Sequence, residues 1–366
     1  MKRSIGFIAA VALAGGAALW AQAGGAKPGV VPPGDWVTLN RDYAATRYSP
    51  LNQINSGNVA TLVPAWTARN AAGGTAVPLV VNGVMFVANG SNLRALDAET
   101  GKEIWSYSTT GQPAPPLPPT DAQPPAPVAG APGGGRQGAG PGAPGGAPAG
   151  AQAGAAAPAG AGAPAGGGGG QAGGRGRGGG APSISARGIS YWPGDATHPA
   201  AVVFMTNNRM WQVNAATGQL VTTFGENGSI AVGQGWGGTP TIYRNVAVIG
   251  AAGTEIPFGN QPGNPRAFDL ATGKKLWEFQ TVPKKGERFN DTWGEGAANG
   301  AERTVKVNGQ DVVQVRGGTN WWGLAAPIDT ERGLIYLSIA GPSANYYGGD
   351  RPGANVFGNS IVAVDL

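Results

Sequence analysis

Leu96-Asp97-Ala98-Glu99-Thr100-Gly101-Lys102 runs on to Trp105, and the phrase returns as Val213-Asn214-Ala215-Ala216-Thr217-Gly218-Gln219 and as Phe268-Asp269-Leu270-Ala271-Thr272-Gly273-Lys274 ahead of Trp277. An internal repeat of this kind decides the architecture before any single site does. Each copy follows a hydrophobic stretch (Val84–Val87, Val202–Met205, Val246–Ile249), sets a polar Asp/Asn-x-x-Thr-Gly turn, and passes into an apolar run that in two copies ends on Trp. The pattern predicts strand, tight turn, strand, repeated along the chain. Ile361-Val362-Ala363-Val364-Asp365-Leu366 reads as the opening of another copy, so a chain truncated within the repeat is expected.

Working outward, helix-period segments are scarce. Val80–Val87 and Asn92–Leu96 make an apolar hairpin around Asn89-Gly90. Short runs rich in β-branched and aromatic residues follow at Val202–Thr206, Met210–Asn214, Thr239–Tyr243, Val246–Gly250, Leu276–Gln280, Val305–Val307, Val312–Val315, Leu334–Ser338 and Ser360–Val364. Gly, Asn, Asp or Pro separates them, which is strand and turn punctuation. Repeated short strands without helices imply an antiparallel all-β architecture, either a sandwich or a propeller. The repeat favours the propeller, because a four-stranded blade cannot bury both faces alone and must stack on its neighbours. Trp105 and Trp277 are expected between blades, and Asp97 and Asp269 as turn caps.

Only 12% of the 366 residues are charged, while Gly (66) and Pro (31) abound, and most of that excess lies in one segment. Residues 111–182 are almost wholly Pro, Ala, Gly and Gln, too poor in large apolar side chains to offset their chain entropy. They are read as a disordered insertion between ordered blocks at 35–110 and 183–366. The net charge of +5 is scattered, with one local pair in Arg175-Gly176-Arg177-Gly178. Two arginines without an aromatic read as a solvated linker, and no nucleic-acid partner is expected. The absence of Cys excludes disulfides, thiolate nucleophiles and cysteine-ligated zinc. The single His, His198, sits in a Gly-Asp-Ala-Thr-His-Pro stretch and reads as a surface turn residue rather than a triad member. Lys2 and Arg3, the apolar run Ile5–Trp20 and Ala21-Gln22-Ala23 have the layout of a secretory signal peptide over 1–23, with an uncleaved anchor as the rival reading. The mature chain is expected to be periplasmic or exported, without a stable membrane span.

Several longer phrases resemble the quinoprotein dehydrogenases that use pyrroloquinoline quinone, in particular the glucose and alcohol type with an eight-bladed propeller. They are Asn40-Arg41-Asp42-Tyr43-Ala44-Ala45-Thr46-Arg47-Tyr48-Ser49-Pro50-Leu51 with Gln53-Ile54-Asn55, Pro78-Leu79-Val80-Val81-Asn82-Gly83-Val84, Arg187-Gly188-Ile189-Ser190-Tyr191-Trp192-Pro193-Gly194-Asp195, and Tyr346-Tyr347-Gly348-Gly349-Asp350-Arg351-Pro352-Gly353. The resemblance covers nearly all of both ordered blocks. It implies about half of such a propeller, the N-terminal part, with the long disordered insertion outside it.

What the resemblance implies for chemistry is specific. A flat tricarboxylated quinone needs a fixed cation, an apolar floor and close backbone donors. Arg187 matches the family arginine that pairs with the quinone carboxylates, and its planar fork suits that partner. Ala252, Gly253 and Thr254, within Gly250-Ala251-Ala252-Gly253-Thr254-Glu255, match the small-residue loop over the cofactor, and Glu255 the metal-binding carboxylate. In Gly317-Gly318-Thr319-Asn320-Trp321-Trp322-Gly323, counting from the paired glycines places Trp322 beneath the quinone, with Trp321 the alternative if the register slips by one. Calcium or another divalent metal is implied, yet Gly341 stands before Pro342 where alcohol-oxidising relatives place an Asn ligand. Calcium takes roughly six to eight oxygens, so one missing carbonyl matters. Ser183-Ile184-Ser185 replaces an adjacent cysteine pair, and Thr75 a cofactor-contacting Glu. All three departures lean towards a glucose or polyol substrate.

The resemblance therefore implies a periplasmic dehydrogenase that oxidises a sugar or alcohol and passes electrons to a quinone or cytochrome. The family's proton-accepting Asp falls beyond Leu366, so no catalytic residue is assigned and a fragment inactive by itself is expected. A non-catalytic propeller scaffold of the cell envelope is the alternative, and a truncated product without function another. Unpaired strand edges would make the isolated chain prone to self-association.

Overall fold

The computed structural model describes residues 31–69, 77–117, 182–251, 262–284, 286–293, 302–307, 310–315, 321, 326–342 and 353–366. The chain divides into two compact units, 1–124 with 172–366, and 125–171. The second lies wholly outside the described residues, as do the leader and most of the expected insertion.

The first sheet is a meander in chain order: β1 (Leu79–Val81), β2 (Val84–Asn89), β3 (Asn92–Asp97) and β4 (Glu103–Ser108), each antiparallel to the next. The second repeats it with β5 (Ser190–Trp192), β6 (Ala201–Thr206), β7 (Arg209–Asn214) and β8 (Ser229–Ala231), and the third with β9 (Thr241–Tyr243), β10 (Val246–Ile249), β11 (Arg266–Asp269) and β12 (Lys275–Glu278). A separate hairpin, β13 (Glu302–Val307) with β14 (Gln310–Val315), precedes a three-stranded sheet of β15 (Ile328–Asp329), β16 (Leu334–Ile339) and β17 (Ser360–Asp365). The architecture is all-β, a partial propeller whose sheets are its blades. The run read as Val80–Val87 is cut into β1 and β2 by Asn82 (φ 49°) and Gly83 (φ 76°), two left-handed residues in a tight hairpin turn.

The repeated phrase closes the third strand of each sheet onto the fourth. Asp97 Oδ1 accepts from the Thr100 amide and hydroxyl, both at 2.7 Å, and Asp269 does the same for Thr272. Asn214 Oδ1 accepts from the amides of Ala216 and Thr217, so an amide serves where the other copies use a carboxylate. These side chains are turn caps, as expected. The glycine of the phrase has a second task. A Cβ on Gly218 (φ +72°) would lie 2.7 Å from the Trp105 ring, one on Gly101 2.5 Å from Trp66, and one on Gly273 2.6 Å from Ile230 Cγ2. Each turn thus seats a large side chain from the preceding sheet or, for Trp66, from the segment before β1. Trp66 Nε1 donates to Ala98 O at 3.1 Å and Trp105 Nε1 to Ala215 O at 3.0 Å. The second copy has no Trp after its turn, and there Ile230 supplies the apolar contact while Gln212 Nε2 donates to Leu270 O at 2.7 Å.

The core lies between sheets rather than within one. Leu79, Phe86 and Trp105 of the first sheet pack on Tyr191, Val202, Phe204 and Val213 of the second. Met205, Met210 and Trp192 pack with Val248, Phe268 and the buried faces of β15 and β16. Because β6 faces a neighbour on both sides, all six of its residues are buried and Ala201-Val202-Val203-Phe204-Met205 shows no polar alternation. Trp277 packs half-buried on this second cluster beside Val362, Val364 and Leu366.

A meander gives each sheet two unlike ends. The repeated turns, the β1–β2 turn and residues 193–200 lie at one, the turn end. The β2–β3 and β6–β7 turns and the segments that pass between sheets lie at the other, the connection end.

Candidate functional site

Arg187 stands at the connection end, where the chain enters β5. The segment before it is pinned from both sides: Ile184 N donates to Gly90 O and Ser185 N to Met205 O, each at 2.8 Å. Ser185 Oγ then accepts from Arg187 N at 3.2 Å and donates to Gly237 O at 2.6 Å, so one hydroxyl sets the Arg187 backbone against the segment leaving β8. Gly188 (φ +134°) makes the turn that only glycine adopts freely, and its missing side chain leaves room for Thr239 Oγ1, which a Cβ would meet at 3.2 Å. Thr239 is 1% exposed and its hydroxyl has no hydrogen-bond partner among the described residues. The Arg187 side chain is half-buried.

Beside this turn, Trp236 takes its place through a 2.9 Å bond from its amide to Asn207 O. Its ring packs on Trp321 with centroids 5.2 Å apart and planes at 31°. Gly250 fits beneath the pair only as glycine, since a Cβ there would lie 2.7 Å from Trp236 Nε1 and 2.9 Å from Trp321 O. Gly250 and the buried Ala251 open the small-residue loop; Ala252, Gly253, Thr254 and Glu255 lie outside the described residues, as does Trp322. Trp321 is 1% exposed and bridged to Ile339, and its indole packs in the core against Trp236. Gly341 lies at the same end. A Cβ there would be 3.1 Å from Asn359 Oδ1, so an amide carbonyl adjoins the position where the sequence lacks one. Thr75 lies outside the described residues.

Two guanidiniums stand at this site among the described residues. Arg187 is joined by Arg266, on β11, whose guanidinium is held below its ordinary pKa by burial, with Glu278 opposing the shift. Beneath Thr239 a cavity of about 20 Å³ is lined by Thr38, Tyr43, Ser190 and Tyr191. It has room for about one water, far short of the several hundred Å³ that a three-ring ligand occupies. Burial, helped by Asp35, pushes the Tyr191 phenol up to about 12, so it stays protonated there. A larger cleft of about 290 Å³ lies at the turn end between Arg244, Glu331, Arg332 and Asp365. It is remote from Arg187, and Arg332 is already bonded to Asp329 at 2.6 Å.

Among the described residues the connection end brings together donors that suit an anion, one half-buried guanidinium and the buried Thr239 hydroxyl, beside glycines at 188 and 250 that let Thr239 and Trp236 pack close. For a metal, the described residues contain no group of three or more His, Cys, Asp or Glu. His198 is a turn residue at the opposite end, with Nδ1 2.8 Å from Asp195 Oδ1. Sequence reasoning named Ser185 only as a replacement for cysteine and missed Thr239, Trp236 and Arg266. Ser185 and Thr239 flank Arg-Gly and Gly-Gly phrases, a weak signal, whereas Trp236 and Arg266 carry none.

Residues 36–119 and 174–366 match the family described as the β-propeller domain of PQQ-dependent glucose, ethanol and alcohol dehydrogenases. The dehydrogenase subunit of the quinone alcohol dehydrogenase of Gluconobacter oxydans is 31% identical over 91% of the chain and 36% of its own length. Subunit 1 of the methanol dehydrogenase [cytochrome c] of Methylobacterium organophilum is 26% identical over 90% of the chain and 44% of its own length. The chain thus spans well under half of these relatives. The crystal structure of the quinohemoprotein alcohol dehydrogenase of Comamonas testosteroni superposes with a TM-score of 0.55 at 20% identity, covering 96% of this chain and 43% of that one, which establishes likeness of fold.

Proposed function

Because the chain belongs to the β-propeller family of PQQ-dependent glucose, ethanol and alcohol dehydrogenases, we propose that its connection end binds pyrroloquinoline quinone in the oxidation of a small alcohol or sugar. The observation that carries this reading is one connected set of residues. Arg187 is held by Ser185, Ser185 by Gly237, and the neighbouring Trp236 packs on both Gly250 and Trp321.

In this reading Arg187 pairs with quinone carboxylates through its planar fork. Ala252, Gly253 and Thr254 present backbone to the ring, Trp322 forms its floor, and Thr239 donates the hydroxyl that lacks a partner. Glu255 holds a divalent metal, calcium by resemblance, and Asn359 offers a carbonyl beside Gly341. The quinone supplies a two-electron acceptor when bound, and the metal a Lewis acid. Electrons then pass to a quinone or a cytochrome, and the leader over 1–23 directs the protein to the periplasm. The activity proposed for this stretch is binding of the quinone.

Titrating the folded chain with pyrroloquinoline quinone in the presence of calcium, followed by absorbance, tests this. Saturable binding should weaken about tenfold or more in Arg187→Ala, the loss expected for hydrogen bonds to a charged group. Absence of binding by a folded sample, or binding indifferent to Arg187, overturns the reading and favours a propeller that acts as a scaffold.

A further inference from the structure

Arg266 is a deeply buried charge at the connection end, and the reading above gives it no task. It begins β11, where it stands opposite Ile249, the last residue of β10, at the neck of the loop that starts with Gly250. It is 4% exposed. Nη1 donates to Val232 O, and Nη2 donates to Gln234 O at 2.8 Å and Gly250 O at 2.7 Å. No ion pair to Arg266 occurs among the described residues. Its cross-strand neighbour Glu278 is engaged elsewhere, with Oε2 on Lys275 at 2.8 Å and Oε1 on Asn264 at 3.0 Å.

A guanidinium taken out of water without a bound carboxylate is costly, and an apolar side chain of similar volume commonly serves stability as well or better. Burial depresses its pKa, the sign of that cost. What a Leu or Met could not do is gather three carbonyls from two separate segments. Val232 and Gln234 lie on the stretch that carries Trp236 and Gly237, and Gly237 O receives the Ser185 hydroxyl that orients Arg187. Gly250 opens the other segment, the loop that leads to Ala252–Glu255. Gly233 (φ +77°) lets the first stretch bend around the guanidinium, with a Cβ position 3.5 Å from Nη1.

We infer that Arg266 is a positioning residue for quinone binding: its guanidinium locks the 232–237 segment to Gly250, so that the Arg187 turn and the Gly250–Ala251 backbone keep one spacing around the ligand. This rests on the proposed quinone site. The two segments are separate in sequence and share no backbone ladder, so their spacing is set by side chains. Lys at 266 would keep the charge and much of the stem but offer a compact ammonium in place of the fork.

The test compares wild type, Arg266→Lys and Arg266→Ala for quinone dissociation constant, melting temperature and amide hydrogen exchange at 232–237 and 250–255. Losses of about 10- to 100-fold in affinity are expected for both variants, the range typical of residues that orient a binding group rather than touch the ligand. Exchange should quicken in both segments while the rest of the sheets stay protected, and millimolar guanidinium should restore part of the affinity of Arg266→Ala but not of Arg266→Lys. Unchanged affinity in Arg266→Lys overturns the inference, as does a loss that merely tracks melting and is not rescued. Should neither variant fold, wild type decides: quinone must slow exchange in both segments together, and slowing confined to one refutes the lock. Failure of wild type to bind, in contrast, sinks the quinone site itself, and Arg187→Ala separates the two, since it weakens binding without quickening exchange at 232–237.

Discussion

The two ends of these sheets are built on different rules. At the turn end the same phrase recurs, each Asp or Asn caps its own turn within a few residues, and each glycine receives a side chain from the preceding module. At the connection end nothing recurs. Ser185, Trp236 and Arg266 each hold something far away in sequence, and Thr239 Oγ1 and Arg266 Nε are among the buried polar atoms without a partner among the described residues. Redundant local bonds suit a part whose task is stacking, whereas singular long-range bonds suit a part that must present a few groups to a ligand. The contrast teaches that stability and binding are separable here, and substitutions at the two ends should divide accordingly.

The largest expected effect falls at the turn end. Trp105→Ala removes an indole that is 9% exposed and bonded to Ala215, and should cost about 3–5 kcal/mol in urea denaturation, with quinone affinity of the folded fraction unchanged. A parallel loss of affinity would break the division. Arg187→Ala should do the reverse, with affinity falling by the equivalent of about 1.5–3 kcal/mol and the melting temperature barely moving. Next comes Gly218→Ala, which forces a side chain into φ +72° and against the Trp105 ring, for about 1–2 kcal/mol of backbone strain and a further contact penalty. In the background of Trp105→Ala the contact part should vanish, a coupling that a double-mutant cycle measures.

Two smaller effects sharpen the comparison. Asn214→Ala leaves two turn amides uncapped and should cost about 1 kcal/mol, while Asp97→Asn should be near neutral because Asn214 already performs that role. Asp195→Asn should have a small cost at neutral pH, since an amide oxygen can still accept from Thr197 but the charge and the second oxygen, which accepts from Asn245 Nδ2 at 3.0 Å, are lost. The Asp195 carboxylate is held well below the usual carboxylate range by the Thr197 amide above all, with the His198 ring and the Thr197 hydroxyl assisting against partial desolvation. A folded-state pKa below the unfolded one stabilises above the ordinary carboxylate pKa and ceases to do so as pH falls through the depressed value. Stability of wild type relative to Asp195→Asn should therefore shrink on acidification below about pH 4, the ordinary carboxylate pKa, and stay level above it. A difference that grows in acid would contradict the assignment.

Much of this was readable before any coordinates. Periodic hydrophobic runs and Asp-x-x-Thr-Gly turns specify strands and caps through contacts a few residues apart, so the meander, the caps and the placing of Trp105 between sheets follow from local chemistry. Strands of two or three residues, such as β5, β8 and β15, carry too little pattern to be seen alone, and their neighbours complete them. The adjacent tryptophans show where reading stops, since Trp321 and Trp322 are chemically alike and only packing against Trp236 assigns the first to the core. Arg266 shows the same for charge. Its partners are backbone carbonyls at 232, 234 and 250, and a carbonyl has no letter in a sequence. The order of strands lay in the residues themselves because hydrogen bonding and periodicity act locally; which groups meet at the connection end was settled by folding, because three distant segments had to be brought together first.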